Sequence, residues 1–376
     1  MPRGHPWPIG ELLDQVGWAF CLASVCNLLI WLKSPVQSLD SEISAAIVAA
    51  GGAISFEKFM ELALYAPAGF YSTEVRAGRR GDFITSPEVG PLFGAVVANA
   101  VDAQWRQLGR PKKFELVEVG AGPGTLARSV LSAELECRDA LRYIAVEVSD
   151  VQRRLHTAEM HSQSTLPTEP MVGMIIANEL LDNLPFRLFV FDGVWQEAFV
   201  AKQGESFVEV LRRVNDIPEW LPQVAPHGGR VPVQNAAAKW LASCLELLQS
   251  GSITIFDYCS TSSDAITNPW RDWLRTYRQH EQGEHYLRHP GSQDITSHVM
   301  IDQLQLLRQA NRVETQADWL NRNGINRLVE DGRNYWQANA AKPDVKAMKM
   351  RSRVSESEAL CDPKGLGNFK VLEWHK

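Results

Sequence analysis

Short apolar blocks alternate along the chain with longer stretches in which apolar residues recur every three or four positions. FELVEV (Phe114–Val119), YIAVEVS (Tyr143–Ser149), GMIIANE (Gly173–Glu179) and SITIFDY (Ser252–Tyr258) read as strands. Between them, AGPGTLARSVLSAEL and Asn235–Leu248 read as helices, the second ending near Gly251. Strands that alternate with helices predict a doubly wound, mostly parallel α/β sheet. Upstream, residues 42–65 predict two short helices broken at Gly51-Gly52, the second capped by Ser55. Residues 69–90 are polar, glycine-containing loop until Ser86-Pro87, where Ser as cap and Pro in the first turn should open a helix running to Leu108. FRLFVF-DG-VWQEAFV predicts a hairpin in which Asp192 and Gly193 take the two positive-φ positions of a tight turn, and SFVEVLRRV continues as another strand. Trp270, Arg271, Trp273, Arg275 and Arg278 could form a docking surface, but their spacing favours an amphipathic, core-facing helix. Asp294–His298 precedes a further helix that Thr296 or Ser297 would cap.

The organisation that follows is an extension over residues 1–40, an N-terminal helical or cap segment over 41–110, and a core over 111–376 with insertions at about 186–232 and 260–300. From Val16 to Leu32 the extension is apolar except for Ser24 and Asn27. A spanning helix needs about 20 such residues, and residues 1–15 lack the basic bias of a secretory signal. Membrane contact, if any, is confined to residues 16–32.

The chain has 376 residues, 45% of them apolar and 22% charged, which fits an ordinary globular fold with a sizeable core. Its net charge of −6 argues against a general nucleic-acid binder. Cys21, Cys26, Cys137, Cys244, Cys259 and Cys361 form no C-x-x-C pair, a spacing that fits a reducing compartment and supports no zinc site. His280, Glu284, His285 and His289 lack helical ligand spacing, so no metal is expected.

Candidate chemistry begins with Glu118-Val119-Gly120-Ala121-Gly122-Pro123-Gly124, between a strand and a helix. Ligands of open α/β sheets bind at the strands' carboxyl ends, where glycine admits close backbone approach and a helix N-terminus favours anionic groups. A dinucleotide fingerprint would want glycine at Thr125. Glycines at 120, 122 and 124 after an acid suit S-adenosylmethionine instead, its ammonium meeting Glu118. Glu147, at the end of the next strand, is placed to accept ribose hydroxyls. Asn178-Glu179-Leu180-Leu181-Asp182 follows the third strand, where a methyl group would meet its acceptor, and the paired acids Glu179 and Asp182 suit a guanidinium. Asp257-Tyr258 ends a strand beside the same place and is expected to line the acceptor pocket.

GGAISFEKFMELALYAPAGFY, GDFITSPEVGPLFG, ELVEVGAGPGTLARSVL, IIANELLDNLPFRLF, GSQDITSHV and TQADWLNRNGI, in this order, resemble the MidA-like methyltransferase family from about Ile43 to Glu373. The resemblance implies a class I, Rossmann-like methyltransferase sheet with inserted elements and S-adenosylmethionine as cofactor. The activity it implies is symmetric dimethylation of an arginine on a protein, in the cytoplasm or, in a eukaryote, the mitochondrial matrix. This chain has Pro123 where the family loop often has Arg. By the same resemblance, GDFITSPE should fold over the cofactor, with Thr85 and Ser86 hydrogen-bonding its methionine end, and Asn178 joins the cofactor site. His298 is expected to line the pocket rather than act as a base. The expected roles are catalysis by Glu179 and Asp182 and cofactor binding by Thr85, Ser86, Glu118, Gly120, Gly122, Gly124, Glu147 and Asn178. A small-molecule methyltransferase, or an assembly protein retaining the pocket, are the alternatives.

Overall fold

The computed structural model describes residues 38–72, 85–278 and 281–376. The apolar stretch Val16–Leu32 and the Gly81–Ile84 part of GDFITSPE lie outside the described residues.

Four parallel pairings build the central sheet. Phe114–Val119 lies between Leu141–Val146 and Met171–Asn178; His161–Gln163 extends one side and Leu248–Asp257 the other. Lys370–His375 then runs antiparallel against Leu248–Asp257, with Arg312–Thr315 antiparallel outside it. These strands read as apolar runs because both faces are covered. Leu116 and Met174 face a core shared with the helices Pro91–Gln107, Thr125–Leu131 and Ile325–Asn339. Val117 and Ile175 face the opposite core, shared with Asn235–Leu247 and Ile301–Leu307. Strand order reverses between Phe114–Val119 and Met171–Asn178, so the crevice for a ligand opens there, at their carboxyl ends.

A second, antiparallel sheet pairs Ala53–Ser55, Trp195–Gln203, Arg187–Phe191 and Arg230–Val233, with Ser206–Arg212 added to Trp195–Gln203. Its core joins Ile43, Phe56 and Phe59 to Phe186, Phe189, Trp273, Tyr286 and Ile295. Residues 39–72 thus pack with the inserted strands, whereas Pro91–Gln107 packs on the main sheet.

Several local expectations change. Ala53–Ser55 is a strand between the helices Leu39–Ala49 and Phe56–Tyr65, because Gly51 and Gly52 let the chain turn into pairing with residues 199–201. The helix expected from Ser86 is two, Ser86–Val89 and Pro91–Gln107, since Gly90 is extended and the residue before a proline avoids helical geometry. Thr85, not Ser86, occupies the cap, with Glu88 reaching back to its N–H at 3.4 Å. The 191–195 connection has three residues, of which only Gly193 has positive φ. Gly251 does not end a helix: it lies within Leu248–Asp257 opposite Gly173. Even a methyl group at Gly173 would come within 1.9 Å of the Glu115 carbonyl oxygen, so the sheet demands glycine there.

Residues 270–278 form a short turn and a strand, Leu274–Arg278, instead of a helix; antiparallel pairing with Asp294–Ser297 overrides the helical spacing. The same pairing makes Asp294–Ser297 a strand rather than a helix cap, and the next helix starts at Ile301 after Met300.

Phe56 ties the second core together. Its ring is 5.2 Å from Phe186 and 5.0 Å, edge-on, from Tyr286, and it is buried. Phe56→Ala should cost about 3–5 kcal/mol, read as a lower urea midpoint with an unchanged slope. A loss below about 1 kcal/mol would contradict this packing.

Candidate active site

At the switch point the glycine loop is held by its neighbours. The Gly120 and Ala121 N–H groups donate to the Val146 carbonyl at 2.9 and 3.1 Å, and Gly120, Gly122 and Gly124 all have positive φ. Gly122 is clamped on both sides of its peptide. Its N–H donates to Glu147 Oε2 at 2.9 Å, and its carbonyl lies 2.8 Å from His156 Nε2, whose Nδ1 is 2.8 Å from Ser162 Oγ. A Cβ at Gly122 would meet nothing within 4 Å, so the position opens onto space. Gly124 begins the helix Thr125–Leu131, as the sequence spacing requires.

Two adjoining hollows, of about 220 and 190 Å³, share Tyr71, Gly120, Gly122, Gln152, Glu179 and Asn183. Glu147, Val146 and Val148 line the smaller one. Both Glu147 oxygens accept main-chain donors, from Gly122 and from Ser149 at 2.8 Å, a bracing role that the sequence did not reveal. A carboxylate has about four acceptor positions, so the pair leaves capacity for hydroxyl donors.

The larger hollow collects acids. Glu118 lies buried at its floor, and burial pushes its carboxyl up to about 8 against a hydrogen bond from Tyr143 Oη at 2.6 Å. Glu179 follows Asn178 in a left-handed conformation, φ 51°, which turns the chain out of the strand. Loss of water and the neighbouring Asp182 charge raise Glu179 to about 8, opposed by donation from Asn178 Nδ2 at 3.1 Å and from the Ser86 N–H. Burial also raises Asp182, although Thr296 Oγ1 donates to its Oδ2 at 2.5 Å. Asp294 is raised to about 7 by burial and by Asp182, while accepting from Tyr71 Oη, Asn183 Nδ2 and its neighbour's N–H.

Asp257 does not line the hollow. It is fully buried and accepts the Leu181 and Tyr258 N–H groups at 3.0 and 2.9 Å, bracing the turn that carries Asp182; Tyr258 does line the wall. Ser86 also departs from expectation. It is buried away from the hollow, its hydroxyl donating to Gln316 Oε1 at 2.9 Å, whereas Thr85 lines the cavity. His298 lines it too, held neutral because burial, with Arg275 nearby, lowers its pKa to about 4.

Trp273, Arg275 and Tyr277 complete the roof, with Phe70 and Tyr71 from the N-terminal segment. The sequence offered Trp273 and Arg275 as part of a docking surface but favoured a core-facing helix, and it assigned neither these residues nor Tyr277 to this hollow. Arg275 and Tyr277 alternate on one strand face, a period-two signal hidden by reading the segment as a helix.

The donor set suits a nucleoside carrying a cationic amino-acid tail: glycine-lined backbone, the Glu147 carboxylate with acceptor capacity to spare, and Glu118 buried beneath the loop. Six buried side-chain polar atoms lack partners among the described residues, and four of them belong to residues lining the hollows: Ser149 Oγ, Gln152 Oε1, Asn178 Oδ1 and Asp182 Oδ1. Such atoms mark where a polar ligand docks.

Comparison with known proteins agrees. Residues 96–318 match the model of a family described as "Putative S-adenosyl-L-methionine-dependent methyltransferase". A Drosophila melanogaster protein named protein arginine methyltransferase NDUFAF7 homolog, mitochondrial, is 28% identical over 303 residues, covering 70% of this chain and 68% of its own. The Rattus norvegicus protein arginine methyltransferase NDUFAF7, mitochondrial, is 25% identical over 310 residues, covering 69% and 67%. A Burkholderia thailandensis structure described as a "likely methyl transferase" bound to S-adenosyl-homocysteine superposes with a TM-score of 0.76 at 26% identity, covering 90% of this chain and 92% of the other. With strand order, glycine loop and acid-lined crevice in place, this chain belongs to the family of S-adenosyl-L-methionine-dependent methyltransferases.

Proposed function

We propose that the protein methylates the guanidinium of an arginine side chain on a protein acceptor. One observation carries the proposal: the buried acids Glu118, Glu179, Asp182 and Asp294 line a single hollow in which Arg275 is the one basic side chain among the described lining residues, apart from neutral His298. Acids withdrawn from water are stabilised by a cation that brings its own hydrogen-bond donors, and a guanidinium is such a cation at any working pH. The names of the relatives are consistent with this acceptor.

The cofactor supplies a methyl group on a sulfonium, which the acceptor nitrogen takes by in-line displacement while the carbon–sulfur electron pair stays on sulfur. Gly120, Gly122 and Gly124 present main-chain atoms to it, Glu118 faces its ammonium, Glu147 its ribose, and Asn178 and Thr85 its methionine end. Ser86 contributes through its N–H to Glu179. Glu179 and Asp182 hold the guanidinium in plane and keep its charge away from the attacking nitrogen. The proton released from that nitrogen passes to one of these carboxylates. Within the 111–376 core, the described parts of the insertions at about 186–232 and 260–300 stand with the N-terminal helical segment on the acceptor side. Free thiols at Cys137, Cys244, Cys259 and Cys361 suit the cytoplasm or the mitochondrial matrix. Among the described residues no helix is long and apolar enough to cross a membrane.

Incubation with methyl-labelled cofactor in a cell lysate should place label on protein arginine. Label confined to small molecules would contradict the acceptor, and no label would contradict the transfer itself. Glu179→Gln should lower turnover on the labelled acceptor by on the order of 10²-fold while leaving cofactor affinity nearly unchanged; equal turnover would remove Glu179 from the mechanism. Gly122→Val fills the open space and strains a residue at φ 53°, so calorimetry should show cofactor binding weakened more than about tenfold. Retained binding by a folded variant would contradict the loop assignment.

A further inference from the structure

Apart from neutral His298, Arg275 is the one basic side chain among the described residues that line the acidic hollow, and it is paired with none of the described acids. Its Nη2 donates to the Asp272 carbonyl at 2.5 Å and its Nη1 to Tyr277 Oη at 3.4 Å. No carboxylate among the described residues lies within 4.0 Å of its guanidinium. The local geometry makes this separation a built feature. Leu274–Arg278 pairs antiparallel with Asp294–Ser297, placing Arg275 directly opposite Thr296, whose hydroxyl donates to Asp182. Directly opposed residues have Cβ atoms about 4.5–5.5 Å apart, so an arginine side chain has the length to reach that carboxylate. It is tethered instead to the carbonyl of its own turn, leaving donors of its five-N–H fork unused.

The position within the hollow is equally telling. Arg275 stands with Trp273, Tyr277 and His298 in the wall made by inserted segments, and none of these four lines the smaller hollow beside Glu147. That end faces the acceptor, not the sugar.

We propose that Arg275 is a carboxylate-binding element of the acceptor site, so that the preferred substrate is an arginine with an acidic residue beside it in the chain. This rests on the arginine acceptor argued above and narrows it. The site then reads both signs: Glu179 and Asp182 take the guanidinium, and Arg275 takes the neighbouring carboxylate through the planar fork that matches it. Neutral His298, stacked near Tyr258, adds no competing charge.

The test uses the full chain, its Arg275→Met and Arg275→Lys variants, and synthetic arginine peptides with Glu, Gln or Lys on either side of the arginine. Methyl transfer by the wild type should favour the Glu peptides over the Gln peptides about tenfold in kcat/KM. Arg275→Met should abolish the preference by lowering transfer to the Glu peptides about tenfold more than transfer to the Gln peptides, and Arg275→Lys should restore part of it. S-adenosyl-homocysteine, titrated by calorimetry, should bind the wild type and Arg275→Met alike. Tenfold weaker binding by Arg275→Met would assign the guanidinium to the methionine carboxylate and overturn the proposal. Transfer to all peptides without charge preference would overturn it while leaving the arginine acceptor standing. Transfer to no arginine peptide by a protein that labels other molecules would sink both.

Discussion

The site depends on acids kept out of water. Three strand ends of the central sheet deliver Glu118, the Asn178-Glu179 turn and Asp257 to one place, and an inserted strand brings Asp294 and Thr296 down upon them. Burial opposes ionisation of each, so Glu118 and Glu179 are held near pKa 8 and Asp294 near 7. Such a group is comfortable in two ways, protonated or facing a cation. The fold therefore stores an affinity for positive charge at the crevice where an α/β sheet binds its ligand. Both partners in the proposed reaction, a sulfonium carrying an ammonium and a guanidinium, provide that charge.

Around this set the scaffold supplies rigidity rather than further charge. Glu147 and His156 fix the two sides of the Gly122 peptide, and Asp257 fixes the turn before Asp182. Tyr143 and Thr296 each give one hydrogen bond to an acid that would otherwise be less well satisfied. The same economy appears in Glu356, which reaches from the helix Val345–Leu360 to accept the Leu92 N–H and so seats the helix Pro91–Gln107 after the cap at Thr85.

Much of the core was legible along the chain because the signals were local. Fully apolar strands, a glycine run between strand and helix, and acids at strand ends need no partner to be recognised. What escaped notice depends on contacts distant in sequence. Trp273, Arg275 and Tyr277 enter the site because residues 274–277 pair with 294–297, and nothing in the spacing of residues 270–278 announces that partner. Gly251 looked like a helix terminator until Gly173 appeared opposite it. Ser86 looked like a cap, yet its hydroxyl is taken by Gln316, 230 positions later. Glu147 was found by position, but its grip on Gly122 follows from how two adjacent strand ends meet.

The direct measure of this account is proton exchange on cofactor binding. Titrating S-adenosylmethionine into the protein at pH 7, in buffers of differing ionisation enthalpy, reports protons gained or lost per molecule bound. Burial raises the Glu118 carboxyl to about 8, so its ionisation on meeting the ammonium predicts net proton release on binding at pH 7. The release should be smaller in Glu118→Gln. Binding with no proton released, or with protons taken up, would contradict the claim that this crevice holds uncharged acids in wait for a cation.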